Sequence, residues 1–215
     1  MLKKLEENLM KDSDVCFQIC EIGDHFAVSF CTGIMKRAAE KLCQSSEVLF
    51  VDATGNCDVQ KHRLYFFATH SIAGGIPLAY IISTSQKEEV FDRAVENLIN
   101  IMPVKIKPSV IIRDDDMIER KVLQKYWPST MILCIFHVLK AVWKWLNLSK
   151  NSIPKEHRQI HYHMFRNILY AYSQQELDMS LETFKKKCKF LNFQKYIQNK
   201  VNNDLNSWCL FFRKG

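Results

Sequence analysis

Apolar positions in residues 33–45 recur at helical spacing, while the run that follows, Glu47-Val-Leu-Phe-Val-Asp, is too short for a helix and reads as a buried strand. Thr54-Gly55-Asn56 supplies turn chemistry, and residues 62–70 are rich in strand formers. Gly74-Gly75 makes a second turn before Pro77-Leu-Ala-Tyr-Ile-Ile-Ser-Thr, so residues 48–84 predict a three-stranded antiparallel meander. Residues 87–101 then place Val90, Phe91, Ala94, Leu98 and Ile101 on one helical face, ended by Pro103. A strand at 109–113 runs into three aspartates, and a helix at 117–126, a short strand at 131–134 and a long helix at 136–148 follow. From Pro154 onward only helical periodicity is present, in segments near 155–172, 174–191, 193–201 and 203–213.

Three strands, helix, strand, helix, strand, helix is the order of an α/β mixed sheet: a meander joined by two parallel strands that crossover helices bring in. This is the RNase H-like order, with an all-helical C-terminal insertion. The predicted division is an N-terminal helical lead-in over 1–47, a core over 48–150 and a helical insertion over 151–215.

At 215 residues, 47% of them hydrophobic, the chain can bury a real core. No apolar run approaches the roughly 20 residues a membrane-spanning helix needs, and the N-terminus lacks a signal-peptide stretch. Neither a membrane nor secretion is indicated. Eight cysteines at uneven spacings predict reduced thiols acting as small buried hydrophobes, and Cys16 and Cys20 lack a second pair to complete a zinc site. The net charge of +7 is uneven: residues 138–215 hold fourteen basic and five acidic side chains, against ten of each in 48–137. A basic face suits a polyanion such as DNA, and it is equally the solvated surface of lysine-rich helices. The candidates for contact are Lys185, Lys186, Lys187 and Lys189, with Lys195 on the next segment.

Asp52 and Asp114 each close an apolar strand, and strand ends are where chemistry collects in α/β sheets. Two carboxylates brought together there repel, and Mg²⁺ or Mn²⁺ relieves the repulsion with hard-oxygen coordination. A paired-metal centre of this kind can cut a phosphodiester. Asp115 and Asp116 read instead as a cap of the next helix. Cys134 and His137, three residues apart, offer half of a zinc site, a group that orients DNA or a carboxylate, or simply a buried strand-to-helix junction. His157, His161 and His163 read as surface histidines.

Four segments in order resemble Mutator-like element transposases: Val-Leu-Phe-Val-Asp-Ala-Thr-Gly-Asn at 48–56, the hairpin at 71–85, residues 110–115, and Leu-Cys-Ile-Phe-His-Val at 133–138 with the family's Cys-x-x-His motif. The likeness covers roughly residues 14–213. It implies metal-dependent strand cleavage and strand transfer at transposon ends, Asp52 and Asp114 as the first two catalytic acids, Mg²⁺ or Mn²⁺ as cofactor, DNA as partner and the nucleus as compartment; a homo-oligomer is left open. The family's third acid is a glutamate just beyond a Trp and Phe-Arg stretch, which Ser-Trp-Cys-Leu-Phe-Phe-Arg at 207–213 matches, and the sequence ends at Gly215. Glu176 and Glu182 lie on helical patterns that explain them as solvated, so this chain alone is expected to bind DNA without cutting it. The alternatives are a transposase-derived DNA-binding protein without chemistry, and a phosphoaspartate phosphatase, because Asp52-Ala-Thr-Gly resembles a nucleophile motif of the haloacid dehalogenase superfamily. The latter needs a Gly-Asp pair that Arg113-Asp114-Asp115 does not supply, and a helix rather than a strand after Asp52.

Overall fold

A computed structural model describes residues 2–11, 13–55, 57–103 and 105–213, in two compact units that divide between Met131 and Ile132. Asn56 of the predicted turn lies outside the described residues.

The first unit is built on a sheet. After α1 (Leu2–Met10) come β1 (Cys16–Ile22), β2 (His25–Cys31), α2 (Gly33–Lys41), β3 (Val48–Thr54), β4 (Arg63–Ser71), β5 (Gly74–Ser83), α3 (Glu88–Ile101), β6 (Val110–Arg113), α4 (Met117–Tyr126) and β7 (Thr130–Leu133). The strand order is β1-β2-β5-β4-β3-β6-β7, with β3, β4 and β5 antiparallel neighbours and β3 parallel to β6. The expected meander and the crossover through α3 are therefore present, and the mixed sheet has the RNase H-like order.

Two strands lie where only a helical lead-in was expected. Residues 1–47 contain the hairpin β1–β2, which pairs from Cys16↔Cys31 to Ile22↔His25 and extends the sheet beyond β5 through Phe30↔Tyr80. The turn is Gly23-Asp24, and Gly23 takes φ +56, the left-handed conformation that a two-residue hairpin turn demands at its first position.

Helices α3 and α4 cover one face because the alternate strand residues there are apolar. Tyr65 stacks on Phe91 with ring centroids 4.4 Å apart, Phe67 lies 6.5 Å from Trp127, and Leu49, Val51, Ile81 and Ile111 are buried with them. Two polar groups on that face are satisfied: the Ser29 hydroxyl donates to the Ala94 carbonyl at 2.7 Å, and the Trp127 indole N–H donates to the Ile106 carbonyl at 3.0 Å.

The second unit is helical past the end of β7: α5 (Ile135–Asn147), α6 (Lys155–Leu169), α7 (Gln174–Lys187) and α8 (Leu191–Trp208), the last kinked at Asp204. Its core holds Val142, Leu146, Phe165, Ile168, Phe193, Ile197 and Trp208. The boundary between the units falls within β7, ahead of α5, and α5 packs with α6 and α8. His161 differs from expectation too. It is buried, its Nδ1–H donates to the His157 carbonyl at 2.7 Å, and its ring packs on Phe190 and Phe193. It shares the inward face of α6 with Phe165 and Ile168, four and seven residues on.

Glu176 and Glu182 both have helical roles. Ser173 caps α7 by accepting from the Glu176 amide at 3.1 Å, the Glu176 carboxylate accepts from the Tyr172 amide at 2.8 Å, and Glu182 pairs with Lys186 at 2.6 Å. Ser173→Ala is expected to cost about 1 kcal/mol of stability, the usual worth of such a cap, read as a shift of the urea midpoint at unchanged slope.

Candidate metal centre

The parallel register of β3 and β6 builds the site. Val48 pairs with Val110, Leu49 with Ile111 and Phe50 with Ile112, and two residues further along each strand the same register brings Asp52 level with Asp114. A carboxylate oxygen of each lies within 4.8 Å of the other. Asp52 points to the face opposite Leu49 and Val51 and is exposed; Asp114, at the first loop position after β6, is half-buried.

The loop that carries Asp114 is held from below. Arg113 is buried, and its guanidinium donates to the carbonyls of Asp114 and Asp116, the latter at 3.1 Å. Asp114 Oδ1 also accepts from the Asp115 amide at 3.2 Å. Asp116 is the N-cap of α4, its Oδ1 accepting from Ile118 at 2.8 Å and from Glu119 at 3.1 Å, as expected for that residue type before a helix.

Glu119, which sequence reasoning passed over, is the most perturbed acid here. It is 1% exposed, its two carboxylate oxygens have no hydrogen-bond partner among the described residues, and the Arg63 guanidinium lies 3.6 Å away. Burial pushes its pKa up to about 7, with the charge of Asp116 adding to the rise, Arg63 opposing it and Asp114 contributing further upward. The available signal was spacing: Glu119 stands three and four residues before the buried Val122 and Leu123, on the inward stripe of α4.

Two carboxylates this close form a hard-oxygen donor pair, the kind that suits Mg²⁺ or Mn²⁺. One exposed member leaves room for water and a substrate oxygen in the remaining coordination positions. Asp52 and Asp114 would be the ligands. A divalent ion bound there supplies Lewis-acid polarisation of a phosphoryl oxygen and an activated water.

The remaining candidates lie in the second unit. Cys134 is the half-buried N-cap residue of α5, and His137 is half-buried in the first turn of that helix with its ring edge-on to Phe136 at 5.3 Å. Lys185, Lys186, Lys187, Lys189 and Lys195 are all exposed. The first three close α7, where positive charge is also favoured by the helix dipole. The cysteines are free thiols; burial pushes up those of Cys20, Cys31, Cys188 and Cys209, which makes them poor nucleophiles. No helix among the described residues is long and apolar enough to cross a membrane.

Comparison with known proteins finds one family whose profile matches residues 9–133: the zinc finger SWIM domain-containing protein 1/3, RNaseH-like domain. The match takes in the hairpin β1–β2, the strands carrying both aspartates, and β7. No curated protein sequence matches the chain.

Proposed function

This chain belongs to the family of the zinc finger SWIM domain-containing protein 1/3 RNaseH-like domain, and we propose that in it Asp52 and Asp114 hold a divalent cation, Mg²⁺ or Mn²⁺, against a nucleic-acid phosphodiester. The observation that carries this reading is the approach of the two carboxylates to within 4.8 Å on adjacent parallel strands. Two carboxylate oxygens at that separation can share one ion or bridge two.

The chemistry that fits is strand cleavage followed by strand transfer, as in the Mutator-like transposases that the segments around Asp52, Asp114 and Cys134-x-x-His137 resemble. Asp52 and Asp114 bind and orient; Arg113 fixes the loop under Asp114. DNA is the substrate this reading names, and the nucleus the compartment that goes with it. The strand β4 after Asp52 speaks against the phosphoaspartate alternative, which needs a helix there.

A second reading has its own support. The exposed lysines at the end of α7 fit a DNA-binding protein of the same descent that has no chemistry. A strand-cleavage assay in Mg²⁺ and in Mn²⁺ on end-labelled DNA, with Asp52→Ala alongside, separates the two. Cation-dependent nicking that disappears in the variant is the result expected of a nuclease and would overturn the expectation that this chain alone binds without cutting; DNA binding with no nicking, and with no cation effect that Asp52→Ala removes, assigns the chain to the second reading.

A further inference from the structure

Helices α5 and α6 of the second unit carry rows of aromatic and cationic side chains. On α5, Phe136, Lys140, Trp143 and Asn147 recur every three or four residues and share one side of the helix; on α6, Arg158, Tyr162, Arg166 and Tyr170 recur every four. Two contacts fix these rows side by side and antiparallel: Arg158 donates to Asn147 Oδ1 at 3.0 Å, and Trp143 meets Tyr162 edge-to-face at 5.3 Å. Beyond these contacts, Lys140 and Phe136 lie one and two turns before Trp143 on α5, and Arg166 and the C-cap residue Tyr170 lie one and two turns after Tyr162 on α6.

The strip so formed alternates rings and cations. Three of its rings are open to solvent, Phe136 at 64%, Trp143 at 44% and Tyr170 at 37%, although aromatic side chains of this size gain free energy by burial, while Tyr162 is half-buried against Trp143. The Lys140 ammonium lies 5.7 Å from the centre of the Phe136 ring, and the Arg166 guanidinium 5.6 Å from that of Tyr170. Negative charge is nearly absent: α5 has no acidic residue and α6 has only Glu156. A protein partner with an apolar face would be met by these cations at a cost, whereas a polyanion with flat, stackable rings satisfies both features at once.

We propose that this strip of Phe136, Lys140, Trp143, Tyr162, Arg166 and Tyr170 binds an unpaired nucleic-acid strand, its bases stacking on the rings and its phosphates pairing with Lys140 and Arg166. The proposal deepens the nucleic-acid reading above by naming the form of the strand, and it does not depend on the aspartates. Duplex DNA keeps its bases within the stack, so rings at the surface gain little from it.

The test is a fluorescence titration of the whole chain with a short oligothymidylate in EDTA, which leaves the carboxylate pair out of the result. Of the four tryptophans, Trp127 and Trp208 are buried and Trp145 is half-buried against Tyr196, so Trp143 is the reporter. Binding is expected to quench its emission. Trp143→Phe keeps a stacking ring and is expected to bind undiminished while losing most of the quench. Phe136→Ala, at a site too open to disturb the fold, is expected to weaken binding by roughly fivefold or more, the low end of what one lost stacking platform costs. Lys140→Gln combined with Arg166→Gln is expected to reduce the slope of log affinity against log salt by about 1.4, the release expected from two phosphates on a single strand.

Three results would overturn the proposal: quenching that persists in Trp143→Phe, oligothymidylate affinity unchanged by Phe136→Ala, or no oligothymidylate binding together with self-association that Phe136→Ala abolishes. The last assigns the strip to a second copy of the chain. A chain that binds the oligothymidylate as expected but shows no cation dependence at Asp52 keeps this inference and loses the metal centre.

Discussion

Mn²⁺ at about a hundred times its dissociation constant is expected to raise the melting temperature of the chain by roughly 5–10 °C, and neither Asp52→Asn nor Asp114→Asn is expected to show the rise. Ligand linkage at that excess stabilises the folded state by about 2.7 kcal/mol, and each kcal/mol is worth roughly 2–4 °C at this chain length. Asparagine preserves shape but removes the charge, so the ion loses one of the two carboxylates proposed to hold it. The apo protein responds in the opposite sense. With the two carboxylates within 4.8 Å and one of them exposed, their repulsion in a water-like dielectric is about 1 kcal/mol, and each asparagine variant should melt slightly above wild type in EDTA. Wild type and variants rising together in Mn²⁺, against a control at matched ionic strength, would locate the ion elsewhere and remove the premise of the nuclease reading.

That pair was legible because two separate signals agreed. An apolar run ending in an aspartate is a strand end, and the meander between Asp52 and Asp114 returns the chain to the same edge of the sheet. The register of β3 with β6 turns this into a level pairing. The meander itself was readable from the strand formers around Phe66, and observed β4 and β5 fall within a few residues of the expected bounds, but the turn between them is Ile72-Ala73, and Gly74 and Gly75, expected to form it, already pair with Ser71 and His70 as the start of β5. The hairpin β1–β2 was not read. Cys16–Ile22 carries Gln18 and Glu21 on exposed positions of an edge strand, which dilutes its apolar pattern, and its one firm signal is the Gly23-Asp24 turn. His161 and Glu119 were misjudged or missed for a common reason. Each is a polar residue on the inward stripe of its helix, and residue type was allowed to outweigh spacing.

Spacing is what makes Glu119 the strongest lever on stability. With a folded pKa of about 7 against an ordinary 4.5, the carboxyl takes up a proton on folding anywhere between those values. Its contribution is therefore fully present below about pH 4.5, fades as pH rises and is lost above about pH 7, the reverse of an acid held by a salt bridge. A shift of that size corresponds to about 3 kcal/mol. Glu119→Gln is neutral at every pH, fills the same volume and should remove this slope, leaving the variant more stable than wild type at pH 8 by up to about 3 kcal/mol and little changed at pH 4.5. Arg63 sets the limit on the gain, since at pH 8 it loses an anionic neighbour at 3.6 Å; its side chain retains 18% exposure and can turn to water. Urea titrations at a series of pH values decide the matter. A variant that is less stable at pH 8, or that tracks wild type from pH 5 to pH 8, would mean that Glu119 is ionised in the fold and that its pair with Arg63 fastens α4 to β4.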